Sequence, residues 1–384
     1  MSSGCVTRSD AERRFLRLTG WRLQSLPAGN VQFCSRSRGT WLLRLRMVVR
    51  WRIGRGRFFA VAVVGFLVSG GVALAVPSGG VPLTTVGRVA LSGPSVRFDY
   101  ASLDTRSNRL YIAHMNASQL LVFDVRSRKI VKTLSVPGVH GVIAVPSLGR
   151  VFASATDAQQ VWTIDSKTGS VIARVSAGSY PDGLTYDPVE RHVFVSDESG
   201  GVETVIDVRG RRVATIPLGG GAGNVQYDAG SGHVLVDVQS RNDVAVIDPK
   251  KNRIIERIPM PGCVNDHGLY IDSARRLAFV ACDGNATLLT LDLRSMTVTA
   301  RTTVGDSPDV LAFDTSLRRL YVSAESGVVS VFAETAHGLR KLGQSFLAPE
   351  AHTVAVDPRT HFVYFPLERG STGAAQLLIM RPSY

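Results

Sequence analysis

Six residues able to bind protons, metals or cations recur at one offset in this chain: Asp99, His140, Asp182, His267, Asp309 and His352. Each stands five residues before a repeated anchor, and Gly223 takes the equivalent place in the remaining repeat. Imidazoles brought together from separate segments suit a divalent transition metal, with neighbouring carboxylates as further ligands or as partners of the distal ring nitrogen. On that reading His140, His267 and His352 are the metal ligands. They fall in the second, fifth and seventh repeats, close to threefold spacing. Without a metal, the same six residues form a hydrogen-bonded, pH-sensitive ring around a ligand-binding mouth. Both readings are open on the sequence alone, as is a third in which the ring is plain solvated polarity inherited by duplicated repeats.

A second group, Glu198, Asp283, Glu325 and Glu368, lies four residues past a later anchor and would favour a cationic or metal-bridged ligand. His192, His233 and His361 fall in turns and read as ordinary turn residues. There is no Gly-x-Ser-x-Gly elbow, no His-Glu-x-x-His pair and no phosphate-binding glycine loop opening a helix. A binding protein is therefore the first expectation. The alternative is a metal-dependent hydrolase or lyase with Asp182 or Asp309 as general base.

The elements that position these residues follow from the repeat. A short strand ends at an Asp, and seven residues later an aromatic or large apolar residue opens the next strand. The pairs are Asp104/Tyr111, Asp187/Phe194, Asp272/Phe279, Asp314/Tyr321 and Asp357/Tyr364, with Val145/Phe152 and Asp228/Leu235 as degenerate copies. A third strand ends at an apolar residue followed by Asp, as in Phe123-Asp124 and Ile247-Asp248, and a fourth follows a polar turn. Four short strands repeating every 40-odd residues is the blade pattern of an all-β propeller, here seven-bladed. The last copy has only three strands, while residues 84–91 read as a spare fourth. That strand is expected to pair near Gln376–Met380, closing the ring and hiding open sheet edges. One domain over residues 82–384, monomeric, is the expectation.

The strings Arg109-Leu110-Tyr111-Ile112-Ala113, His192-Val193-Phe194-Val195-Ser196-Asp197, Arg319-Leu320-Tyr321-Val322-Ser323 and Pro181-Asp182-Gly183 carry a resemblance over residues 82–384. The chain resembles the YVTN-repeat (YncE-like) family of exported bacterial propellers. The literal YVTN string is absent. The resemblance implies the propeller fold and a binding or scaffold role.

Charge and cysteines bear on location. The formal net charge is +13, but residues 1–75 hold 13 arginines, no lysine and two acids, so all but two of those charges lie in that N-terminal stretch. The near-neutral remainder has no basic stripe for phosphates, and nucleic acid is not an expected partner. Residues 1–46 read as a disordered Arg-rich extension, and Met47 would open a signal peptide of ordinary length. Residues 47–76 form a signal peptide or N-terminal membrane anchor: arginines at 50, 52, 55 and 57 precede an uncharged run, and Ala73-Leu74-Ala75 offers a cleavage site. A periplasmic or extracellular protein is expected, held to the membrane only if residues 58–76 are retained, with a small ligand or an envelope protein as partner. Cys263 and Cys282, the only cysteines past the leader, should then form a disulfide.

Overall fold

The computed structural model describes residues 80–336 and 338–383. Within them lie seven four-stranded antiparallel sheets set in a ring, a seven-bladed β-propeller. The inner strands of blades one to seven are Ala101–Asp104, Val139–Val145, Pro181–Asp187, Ala222–Asp228, Asp266–Asp272, Pro308–Asp314 and Ala355–Asp357. The two shortest, in blades one and seven, begin after Asp99 and His352 rather than including them.

The repeated Asp is a turn device. Asp104 Oδ1 accepts the backbone N–H groups of Arg106 and Ser107 at 2.8 and 3.1 Å. Asp187, Asp228, Asp272, Asp314 and Asp357 do the same for their own turns. The side chain thus satisfies donors that the hairpin leaves unpaired. Four residues after each anchor the backbone is left-handed: Asn108, Gly149, Arg191, Gly232, Arg276, Arg318 and His361 all have positive φ. Three of those side chains latch onto the anchor of the preceding blade. Arg276 pairs with Asp228, Arg318 with Asp272 at 2.5 Å, and His361 Nδ1 lies 2.8 Å from Asp314 Oδ2. His361 is therefore an inter-blade contact, a role its place in a turn does not reveal.

The aromatic that opens each second strand is core. Tyr111, Phe152, Phe194, Phe279, Tyr321 and Tyr364 are all buried between neighbouring sheets, with Leu235 in the fourth blade. Close approach of the inner strands depends on two glycines that follow ring histidines. A Cβ on Gly141 or Gly268 would stand 2.1 Å from the backbone oxygen of Asp182 or Asp309 respectively, so no larger residue fits.

The ring closes as the sequence pattern anticipates. Strand β1, Leu83–Ala90, pairs antiparallel with β28, Gln376–Pro382, from Leu83 opposite Pro382 to Ala90 opposite Gln376. The register shifts between Thr85 and Gly87, leaving a bulge at Val86. The Arg-rich extension at 1–46 and the leader at 47–76 lie outside the described residues. Among the described residues no helix is long and apolar enough to cross a membrane.

Cys263 and Cys282 form a disulfide with their Cα atoms 5.3 Å apart, joining the loop into blade five to the end of its second strand. Replacing both by serine should lower stability by about 3 kcal/mol, the loop-closure value for a 19-residue separation. In a domain of this size that is a melting temperature lower by roughly 5 °C. Calorimetry of the double variant beside the parent checks it, and equal melting temperatures would refute a stabilising role.

Candidate functional site

Around the axis the ring positions alternate: Asp99, His140, Asp182, then Gly223, then His267, Asp309 and His352, which returns to Asp99. Every histidine consequently has an aspartate on an adjacent blade. His140 Nε2 is 3.1 Å from Asp99 Oδ2 and 3.4 Å from Asp182 Oδ1. His267 Nε2 is 3.1 Å from Asp309 Oδ1. His352 Nε2 stands further off, 3.8 Å from Asp99 Oδ2 and 4.0 Å from Asp309 Oδ2. Asp99, Asp182 and His352 are almost wholly shielded from solvent, and only His267 is partly exposed.

A tri-histidine centre is not what this geometry draws. Among the described residues, two groups bring three metal-ligating atoms within 4.8 Å of one another: Asp99–Asp309–His352 and Asp99–His140–Asp182. Each contains a single imidazole. Spacing of two or three blades sets the histidines across the axis from one another, while the intervening aspartates come between them.

One residue the sequence reading passed over organises the site. Arg97 lies two residues before Asp99, with Nε 2.9 Å from Asp99 Oδ2, Nη1 2.8 Å from Glu325 Oε1 and Nη2 3.7 Å from Asp309 Oδ2. It links blade one to blade six. At the matching offset the other blades carry Gly138, Tyr180, Gly221, Asn265, Ser307 and Glu350, so the lone cation was legible there. Gln239 was missed as well. Its amide nitrogen lies 2.8 Å from His267 Nδ1, 3.2 Å from Glu198 Oε1 and 3.0 Å from the Ala222 carbonyl oxygen.

Arg97, Gln239 and the ring aspartates and histidines other than His352 line a cavity of about 450 Å³, with Glu198, Asp283 and Glu325 on it beside Tyr180 and Asn116. Glu368, the matching acid of blade seven, is not among the lining residues. On the far side of the ring a separate cavity of about 420 Å³ runs past Ser102, Thr185, Leu269 and Phe313 and has a more apolar lining. The Tyr100 hydroxyl of blade one bonds Asn224 of blade four, and both line this second chamber.

Burial and charge act against each other across the ring. Burial drags the His140 imidazole down, but Asp182 and Asp99 overcome it and lift it to about 9. His267, equally opposed by burial, is raised to about 10 by its bond to Asp309. Burial alone would push Asp99 up, yet His140 and His352 hold it well below the ordinary carboxylate range. Asp182 goes the other way. Its burial outweighs His140 and raises it to about 7.

No family model matches the chain. A 95-residue segment is 30% identical to the uncharacterized protein YncE of Salmonella typhi, and equally to that of Salmonella typhimurium. The matched segment is 25% of this chain and 27% of each YncE, so the likeness spans about a quarter of those relatives. Among solved structures, the Kuenenia stuttgartiensis hydrazine synthase superimposes with a TM-score of 0.64 at 14% identity, covering 73% of this chain and 94% of that one. That likeness is one of fold. The chain is a seven-bladed propeller protein, similar over part of its length to YncE.

Proposed function

We propose that this chain is an extracytoplasmic binding protein of the YVTN-repeat kind, which takes a small organic cation into the mouth of its channel. One observation carries the reading. Six carboxyl groups (Asp99, Asp182, Asp309, Glu198, Asp283 and Glu325) converge with only one arginine on a concave site of about 450 Å³. His140 and His267, lifted to about 9 and about 10, add positive charge beside Arg97. The acids still outnumber the cations six to three, and a cleft of net negative charge concentrates cations and orients them through charge-assisted hydrogen bonds. Arg97 spends its charge on Asp99 and Glu325, which leaves Glu198 and Asp283 free of ion pairs among the described residues. The disulfide and the arginine-flanked apolar leader support the extracytoplasmic placement.

Isothermal titration with lysine, putrescine and spermidine tests the reading. Binding of at least one of these amines is expected, weakened roughly tenfold by Glu198→Gln or Asp283→Asn, the loss of one charge-assisted hydrogen bond. Absence of amine binding, or affinity indifferent to both substitutions, would rule the reading out.

A further inference from the structure

Beneath the mouth, His352 is arranged unlike the other two ring histidines. It is fully buried just ahead of the short inner strand of blade seven. Its Nδ1 is 2.9 Å from the Glu350 carbonyl oxygen. A carbonyl only accepts, so Nδ1 carries a proton, and Nε2 presents either its lone pair or a second proton, which Asp99 and Asp309 favour by raising the ring's pKa against its burial. That nitrogen has no hydrogen-bond partner. It points between Asp99 Oδ2 and Asp309 Oδ2, at 3.8 and 4.0 Å, beyond hydrogen-bond length. His140 and His267, by contrast, close their gaps to carboxylates at 3.1 Å.

A lone pair facing two carboxylate oxygens across an open gap is unfavourable unless positive charge lies between them. Ligand atoms held at about 2.0–2.2 Å from one tetrahedral ion stand about 3.3–3.6 Å apart, so a closure of a few tenths of an ångström would bring these three atoms onto one ion. The tether from Nδ1 to a backbone carbonyl is the outer contact that holds a metal-binding imidazole in orientation. Arg97 and His140 already touch Asp99 Oδ2, and Arg97 is 3.7 Å from Asp309 Oδ2, so both carboxylates are held in place and would share these oxygens with an ion. With one nitrogen and two carboxylate oxygens, the donor set matches the zinc, manganese and cobalt class.

We propose that His352 Nε2, Asp99 Oδ2 and Asp309 Oδ2 hold one divalent transition-metal ion in the floor of the mouth. The site stands apart from the organic-cation reading, since the metal needs no ligand above it. The rival occupant of the gap is a second proton on His352.

Untagged protein, stripped with EDTA and dialysed against Zn²⁺, is expected to retain one zinc per chain by elemental analysis. Co²⁺ in its place should give a visible absorption band. His352→Ala and Asp309→Asn should each weaken zinc binding by roughly 100-fold or more. Because both positions are buried, a second measurement guards against misfolding. Zn²⁺ at a hundredfold excess over its Kd should raise the melting temperature of the parent by roughly 5 °C and leave that of Asp309→Asn unchanged. Glu198→Gln, which loses amine affinity, should keep its zinc. Parent protein without stoichiometric zinc would overturn the proposal in favour of the protonated ring, and so would variants that bind zinc as tightly as the parent. Zinc without amine binding would sink only the ligand reading.

Discussion

Protein lacking residues 83–90 is expected to leave solution as oligomers and aggregates, whereas the full propeller stays dispersed. The strand makes a seven-pair antiparallel ladder with β28, and no other described strand occupies that edge. Its removal bares the ladder groups of Gln376–Pro382 and uncovers Leu377 and Ile379, which are buried in the closed ring. An edge with free N–H and C=O groups beside apolar side chains is a template for pairing with another copy. Light scattering and size exclusion read the result directly. A synthetic peptide of residues 83–90 added during refolding should restore the monomer by re-pairing with β28. Val89→Pro, which removes one ladder donor opposite Leu377, should cause a milder version of the defect. A soluble, monomeric deletion protein with an unchanged melting temperature would falsify the closure argument.

Much of this architecture was legible because the turn chemistry is written residue by residue. An Asp that caps six of the seven hairpins, with a buried aromatic seven residues on in all blades but the fourth, marks the repeat, so strand order and ring closure could be counted. The latches from Arg276, Arg318 and His361 to the preceding blade were not legible, since they join residues 46 to 48 apart that no single repeat relates. In the mouth, the offset brought out all six ring residues, but blade spacing was a poor guide to their partners. Counting steps between histidines suggested a threefold metal centre. Asking which residue stands on the adjacent blade would have shown the Asp–His alternation, and with it a proton or metal shared between unlike groups. Arg97 was legible only as the one cation at its offset, since the other blades carry unlike residues there and no shared residue type marks the position.

The break in that alternation, at Gly223, leads to the second large effect. The place left by the missing side chain is backed by Asp237 of the second strand of blade four, whose Cβ is 3.1 Å from where a Cβ on Gly223 would be. Blades two, three and six carry Ser154, Ser196 and Ser323 at the position of Asp237, and Ser154 donates its hydroxyl to the Asp182 carbonyl oxygen at 2.5 Å. Ser154 and Ser196 act there as donors, which an ionised carboxylate cannot do. Both Asp237 oxygens are buried without a partner, and so is Oδ1 of the nearby Asp266. Burial, then the charge of Asp266, pushes Asp237 well above the ordinary range, and burial lifts Asp266 to about 7.

Asp237 should therefore be protonated in the folded protein at pH values where the unfolded chain has it ionised. Deprotonation favours the unfolded state, so the stability it contributes declines as pH rises from the unfolded value near 4 towards its raised folded value. Asp237→Asn keeps the shape, adds a permanent donor and removes that proton equilibrium. The variant should match the parent near pH 4, then gain on it by up to about 1.4 kcal/mol for each pH unit through the window. Urea unfolding in EDTA at pH 4.5, 6 and 7.5 measures the difference, with the largest gain at the highest pH. Parallel stability curves for the two proteins would mean that Asp237 is ionised and compensated in the fold, and the argument from its unpartnered oxygens would fail.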